Sequence, residues 1–384
     1  MKICGLQYNG TWSDTHATEQ LQPEMVQLVL VFGDRHLLQQ PFIYDTLKLR
    51  FPIANIAMAS TSGEIIHDEV QENTVLATAI QFESSSLQCH STNIAAHADS
   101  FHAGKYLRSC FSSEGLQLLF ILSDGTLVNG TELVEGLNDT ASNDAVLMTG
   151  GLAGDGERFK ETVTGLNALP VSGNIVVIGF YGHQLEVKGS AFGGWDEFGP
   201  LRTVTSSYKN ILYEIDGRNA LDLYKEYLGP FKAELPASAL LFPLSVRVGQ
   251  MPAVTRTILS IDEENHTMLF AGNIPEGSKV RLMKANFERL MEASESAAAS
   301  VAVSNKEDNT LAIIVSCVGR KMILHKRTYE ELHAARKILG HQTFITGFYS
   351  YGEISPFQNT PGSCGLQNQT MTITTLCEHS TSNH

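Results

Sequence analysis

The stretch Phe344-Ile345-Thr346-Gly347-Phe348-Tyr349-Ser350-Tyr351-Gly352-Glu353-Ile354 decides the fold. Its apolar run reads as a strand. It empties into a Tyr-Gly-Glu loop. Two upstream stretches have the same form. Residues 53–65 end in Ala59-Ser60-Thr61-Ser62-Gly63-Glu64-Ile65, and the other is Ala145-Val146-Leu147-Met148-Thr149-Gly150-Gly151-Leu152-Ala153-Gly154-Asp155-Gly156. Each time a strand ends in small residues, glycine and one carboxylate. Open α/β sheets place ligand sites at the C-terminal ends of strands, so the chain points to a binding site before it points to any reaction.

Working outward, a strand over 26–32 and a helix opened by Pro41 and stopped by Pro52 precede the first copy. Residues 74–82 and 87–94 then read as a hairpin, followed by a helix over 95–109. The second unit repeats this order: strand 116–122, a turn at Ser123-Asp124-Gly125, helix 131–137, strand 145–148, then an antiparallel run over 161–169, 175–181 and 184–191. The third has strand 311–316, helix 329–339, strand 343–349 and a last Thr-rich strand over 369–376. Between the second and third, Gly193-Gly194-Trp195-Asp196-Glu197-Phe198-Gly199-Pro200 is the sharpest break. It sets the expected boundary: residues 1–195 and 196–378 as two domains, with 379–384 a frayed tail. Beyond it, 201–207 and 211–215 pair as a hairpin, and 280–283 leads into a long helix reaching 302. The expected class is α+β, a mixed α/β chain of two halves whose sheets are largely antiparallel or mixed and carry helices on their outer faces.

Composition narrows the function. The 384 residues are 43% hydrophobic and 18% charged, as in a packed globular protein. A net charge of −14 speaks against nucleic acid or an anionic membrane as partner. No apolar run is long enough for a membrane span and the start lacks a secretion signal, so the expected location is cytoplasmic. Six cysteines without a Cys-x-x-Cys pair are expected as isolated thiols.

The carboxylates Glu64, Asp155 and Glu353 are candidates to hold a ligand's amino group, or else to cap their own turns. Trp195, Phe198, Tyr349 and Tyr351 are loop aromatics able to wall a pocket or simply to pack, and Arg202 is the nearest cation for an acid group. The expected pocket lies where Tyr349, Tyr351 and Glu353 face Trp195 and Arg202. The glycine-rich loop 150–156 lacks the Lys-Ser/Thr pair of a phosphate loop. Thirteen histidines show no helical metal spacing, but haem needs only one axial histidine. His67 and His183 are the best placed. Support for nucleophilic catalysis is thin: Gly-x-Ser-x-Gly is absent, and only Cys317, or the pair Asp155 and Glu157, offers an enzyme reading.

These motifs together resemble the FIST domain family (F-box and intracellular signal transduction), in both its N-terminal and C-terminal parts. The resemblance rests on Ser60-Thr61-Ser62-Gly63-Glu64-Ile65, the 150–156 loop, Gly194-Trp195-Asp196-Glu197-Phe198-Gly199-Pro200, Leu212-Tyr213-Glu214-Ile215-Asp216-Gly217, Ser316-Cys317-Val318-Gly319-Arg320, the 347–356 stretch and Asn368-Gln369-Thr370-Met371-Thr372. Gln367 departs from it, since many relatives carry histidine there. The resemblance implies a sensory module that receives a small intracellular ligand and modulates a partner signalling enzyme, a histidine kinase or a cyclase. One branch, the nitric-oxide-sensing NosP proteins, binds haem b, and this chain's length and layout suit it. A homodimer is left open, although no heptad run marks an interface. The alternative is a small-molecule hydrolase or an amino-acid-binding enzyme.

Overall fold

The computed structural model describes residues 1–139, 146–235, 237–303, 308–357 and 364–379; expectations for residue 145 and for the tail beyond 379 lie outside them. The first unit holds β1 (Lys2–Tyr8), β2 (Leu28–Gly33), α1 (Pro41–Arg50), β3 (Asn55–Ser60), β4 (Glu64–Ile66) and β5 (Val75–Gln81). The second holds β6 (Ser86–Asn93), α2 (Ser100–Ser109), β7 (Leu116–Ser123), α3 (Gly130–Asn138), β8 (Leu147–Leu152), β9 (Thr164–Leu166) and β10 (Asn174–Tyr181). The third opens with β11 (Leu185–Phe192). It is then interrupted by β12 (Trp195–Tyr208), β13 (Ile211–Ile215), α4 (Ala220–Leu228), β14 (Ile258–Asp262), β15 (Thr267–Phe270) and β16 (Lys279–Ala285). It resumes with α5 (Phe287–Ser300), β17 (Thr310–Cys317), α6 (Val318–Leu324), α7 (Thr328–Leu339), β18 (Phe344–Ser350), β19 (Gly352–Pro356) and β20 (Met371–Glu378).

The three units share one topology. A parallel pair, β2/β3, β7/β8 or β17/β18, is joined by a helical crossover. An antiparallel strand, β5, β10 or β20, lies on the other side of the first strand, and a fourth, β1, β6 or β11, lies beyond it. The chain passes each unit's next strand to a neighbouring sheet. The strand after β3, β4, pairs with β18; the strand after β8, β9, pairs with β3; the strand after β18, β19, pairs with β8. The mixed α/β class, the strand-helix-strand repeats and the outer helices are as the sequence indicates.

The expected hairpins of 74–82 with 87–94 and of 175–181 with 184–191 do not form. β5 pairs with β1 and β2 while β6 pairs with β10, and β10 pairs with β6 and β7 while β11 pairs with β20. The reason is the core. Leu28, Leu30 and Phe32, Leu118, Phe120 and Leu122, and Leu311, Ile313 and Val315 meet in one apolar cluster, so each sheet turns a face to the same interior. A short turn after β5 or β10 therefore carries the chain round a corner into the next sheet. Outer faces pack on helices: Val29 and Val31 with Ile43 and Leu47 of α1, Leu119 and Ile121 with Leu107 and Leu133 of α2 and α3, Ala312 and Ile314 with Ala297 and Leu332 of α5 and α7. Between α2 and α3 the fit is close: a Cβ on Gly104 would lie 2.2 Å from the Leu133 carbonyl oxygen, so these backbones need glycine.

The break at 193–200 opens strand β12. Here the chain leaves the third unit for a separate eight-stranded sheet, in which β12 and β13 form the expected hairpin, and it returns through α5. Strands from either side of residue 195 pair within the third sheet.

A buried ion pair pins this junction. The Arg320 guanidinium donates to Glu331 Oε2 at 2.8 Å, to the Gly193 carbonyl at 2.6 Å, to the Leu290 carbonyl at 3.0 Å and to Ser294 Oγ at 3.1 Å. Glu331 Oε1 accepts from Tyr349 OH at 2.7 Å and Ser316 Oγ at 3.2 Å. Both charged side chains are fully enclosed. Removing one partner strands the other's charge, so Arg320→Met should cost about 3–5 kcal/mol in urea unfolding. The double variant Arg320→Met/Glu331→Leu should recover much of that loss.

Candidate functional site

The ends of β3, β8 and β18 and the strands they hand on bring the sequence's carboxylates into view. Glu64 lies opposite Phe348, Glu353 opposite Gly151, and Thr164 opposite Ala59. By pairing, the third counterpart of the two glutamates is thus Thr164, while Asp155 lies on the excursion between β8 and β9. Glu64 accepts from Thr61 Oγ1 at 2.6 Å and Thr74 Oγ1 at 2.8 Å. Glu353 accepts from Ser350 Oγ at 2.8 Å, and from the backbone N–H and Oγ1 of Thr370 at 3.1 and 2.9 Å. Thr61 matches Ser350 and Thr74 matches Thr370, each in the residues leading into the antiparallel strand. In the second unit Thr164 Oγ1 donates instead to the Asn174 carbonyl at 2.6 Å. Both glutamates turn inward and tie loop to strand.

Asp155 is enclosed by two arginines. Its Oδ1 accepts from Arg158 Nη2 at 2.6 Å and Nε at 2.9 Å and from Arg35 Nε at 3.2 Å. Burial pushes its carboxyl up, but the arginine bonds outweigh this and hold it below its usual range. Arg158 also reaches Asp34 at 3.2 Å. Beside this group a charged cavity of about 190 Å³ is lined by Thr61–Glu64, Asn73, Arg158 and Lys321, among others. Lys321 Nζ donates to the Ser62 carbonyl at 2.6 Å and sits 5.8 Å above the Tyr349 ring.

A larger cleft, about 530 Å³, opens between the second unit and the inserted sheet. One wall is the 125–130 turn with Leu152, Phe159 and Tyr351; the other is Asn210, Leu259 and Ser260 with residues 269–272. Asp124 shapes the first wall, accepting from the backbone N–H groups of Thr126 at 2.7 Å, Leu127 at 2.6 Å and Gly173 at 2.9 Å. Tyr351 stacks on Phe159 with ring centroids 4.5 Å apart, accepts from the Phe159 N–H at 3.0 Å and donates to the Gly156 carbonyl at 3.2 Å. Burial pushes its phenol up to about 12, which keeps it a donor. None of the residues lining the cleft is charged, and three of them, Leu127, Leu259 and Phe159, are 60%, 43% and 39% exposed to solvent. The two walls are clamped by Asn129 Nδ2 to Asn273 Oδ1 at 2.9 Å and Arg256 Nη1 to the Leu366 carbonyl at 3.0 Å.

The residues expected to share one pocket are dispersed. Trp195 packs against Met283, Leu290 and Ile323 and donates its indole N–H to the Gln369 carbonyl at 2.9 Å, one residue from the Thr370 that holds Glu353. Tyr349 is committed to Glu331. Arg202 stands on β12, bound to Tyr227 OH at 2.6 Å and Asp216 at 2.9 Å. Of the sequence's candidates, Tyr351 lines the large cleft, and Glu64 and Glu157 line the charged cavity. The cleft residues Phe159, Asn210 and Ser260 carry no distinguishing mark in the sequence, because their role arises from contact between segments far apart in the chain.

The two candidate haem-ligand histidines stand apart from the large cleft and the charged cavity. His183 is exposed on the turn between β10 and β11. The His67 ring is wedged between His16 and Phe344, at 5.3 and 5.4 Å, and neither the large cleft nor the charged cavity includes it. Burial, then the nearby charges of Arg336 and His16, push its pKa down. Cys317 is buried, and burial followed by the charge of Glu353 drives its thiol well above the ordinary value, the opposite of an activated nucleophile.

The FIST N domain matches residues 27–218 and the FIST C domain residues 220–356, so the chain belongs to the FIST family, whose domains are associated with sensory signalling and the binding of small ligands. It is similar to an uncharacterised protein, MJ1623, of Methanocaldococcus jannaschii, 23% identical over 346 residues, which are 81% of this chain and 66% of that relative. The chain thus spans just under two thirds of that protein's length. Among solved structures it aligns with cyanuric acid hydrolase from A. caulinodans at 9% identity and a TM-score of 0.35, over 94% of this chain and 92% of that one. Among the described residues no helix is long and apolar enough to cross a membrane.

The two enclosed glutamates generate a pH signature. Burial pushes Glu64 and Glu353 up to about 7 against the pull of their hydroxyl donors. The folded chain therefore holds these protons more tightly than the unfolded one, where the ordinary value is 4.5. Their stabilisation is complete below that value and is lost as pH rises through about 7. Glu64→Gln or Glu353→Gln should each lessen that loss, by about 2–3 kcal/mol, in urea unfolding compared near pH 4.5 and about pH 8.

Proposed function

We propose that this protein is a cytoplasmic receptor for a small, uncharged organic ligand, and that occupancy of the large cleft is passed to a partner signalling enzyme such as a histidine kinase or a cyclase. One observation carries the reading. The cleft has one wall on the three-sheet body and the other on the inserted sheet, so a ligand touching both favours one arrangement of the two. Binding transmits only what it stabilises differentially, and a site straddling two units meets that requirement. The lining supports the ligand class. Exposed Leu127, Leu259 and Phe159 supply apolar surface, while Thr126, Asn129, Asn210 and Ser260 supply neutral hydrogen-bonding groups. A charged amino group, which the carboxylate loops suggested, would find its counter-charges already bound to neighbouring side chains. The receptor reading is favoured over a hydrolase because the candidate nucleophile Cys317 is buried with a raised pKa and Asp155 is bound by two arginines.

The test is a thermal-shift screen of neutral metabolites against the full chain. A true ligand at about a hundredfold over its Kd should add about 2.7 kcal/mol of stability. Ser260→Trp, which fills the cleft from its open wall, should abolish that gain, whereas Arg202→Ala should leave it intact. A ligand whose effect survives Ser260→Trp, or one that leaves the partner enzyme's activity unchanged on binding, would overturn the proposal.

A further inference from the structure

A second cluster lies at the opposite end of β20 from Thr370, away from the cleft. Cys377 and His379 are two residues apart on extended backbone, so their side chains leave the same face. Leu376 joins the shared interior core, which turns Cys377 outward. Cys377 pairs with Glu186 of β11 on one side and with Thr310 of β17 on the other. Asp308 lies just before β17. One ligand atom each of Asp308, Cys377 and His379 lies within 4.8 Å of the others. His379 Nδ1 meets Asp308 Oδ2 at 3.0 Å, and its Nε2 meets Glu186 Oε2 at 3.0 Å.

A protonated His379 between two carboxylates would explain the two short contacts. It would not call for a thiol in the same sphere. Sulfur, imidazole nitrogen and carboxylate oxygen from two segments of the chain make a donor set that suits Zn²⁺ and not Mg²⁺ or Ca²⁺, which take oxygen ligands. The Nε2 contact with Glu186 is the outer partner that fixes a ligating histidine's tautomer, leaving Nδ1 for the metal. Glu186 is itself steadied by Lys188 Nζ at 2.8 Å, and that lysine also donates to the Ala302 carbonyl at 2.7 Å. The N-terminal ammonium is drawn to Glu83 and Glu378. The side chain of His379 is 38% exposed and that of Asp308 13%, which gives an ion a way in.

We propose that Asp308, Cys377 and His379 bind one Zn²⁺, with Glu186 orienting His379 from behind. Binding replaces the thiol proton of Cys377, and any second imidazole proton of His379, with the metal, and these protons pass to solvent. The ion cross-links the last strand of the third sheet to the segment that opens β17.

The test uses the full chain, stripped with a chelator and dialysed against Zn²⁺, with Co²⁺ as a spectroscopic probe. About one ion per chain should bind, and the Co²⁺ form should show thiolate-to-metal charge-transfer absorption. Cys377→Ser, nearly the same in shape, should remove that absorption. Asp308→Asn should weaken binding at least about tenfold, and Glu186→Gln about 10–100-fold, as expected for an outer partner. Circular dichroism of each variant separates loss of metal from loss of fold, and the near-isosteric variants decide the matter if His379→Ala does not fold. Failure of the stripped protein to take up a stoichiometric ion, or unchanged uptake and absorption in Cys377→Ser, would show that His379 is only an ion-paired imidazolium.

Discussion

The enclosed pair Arg320 and Glu331 is the contact on which the rest of the chain's arrangement converges. It joins the start of α6, the interior of α7, the first half of α5, the strand β18 through Tyr349, and the Gly193 carbonyl where the chain departs for the inserted sheet. A charge with no water around it must have every donor directed, and Arg320 meets that demand with backbone carbonyls from separate segments. The geometry of the junction is thereby specified more tightly than apolar packing alone would achieve. Trp195, at the start of β12, adds a second tie here by donating its indole N–H to the Gln369 carbonyl.

The threefold recurrence of one topological unit explains why carboxylate loops recur, and also why they are not equivalent. Glu64 and Glu353 occupy matching positions with matching hydroxyl partners, and both bind the loop that leaves a parallel strand to the turn that enters an antiparallel one. In the second unit a threonine serves that purpose, and the excursion between β8 and β9 carries Asp155, Arg158 and Phe159 into new surroundings. A related pattern, two polar copies and one apolar copy, appears deeper in the sheets. Thr78 bonds Thr346 and Thr374 bonds Thr149, while Ile178 and Ala57 of the remaining corner belong to the apolar core. The second unit's divergence is what opens one wall of the large cleft.

The receptor site proposed above is the large cleft. Two bodies of sheet are clamped at its edges by Asn129 with Asn273 and by Arg256 with the Leu366 carbonyl, while its floor exposes apolar side chains that gain from being covered. On that proposal, a ligand seated there adds contacts to both bodies at once.

Sequence alone determined the class of the fold and its repeats. The buried strands, the helix opened at Pro41, the small-residue helix α5 and the recurrence of strand, helix and loop all follow from local pattern, because hydrophobic period and turn residues act over a few positions. It also marked Glu64, Asp155, Tyr349 and Glu353 as unusual, which they are, since each is enclosed. Tertiary structure decided what the marks mean. Strand pairing between sheets depends on a core shared by residues hundreds of positions apart, so the two short turns that looked like hairpins became corners. For the same reason Arg202 and Tyr351 fall in different places, and a cleft built from Thr126, Phe159, Asn210 and Ser260 has no signature along the chain: its walls exist only once three sheets have closed on one interior and the inserted sheet has docked beside them.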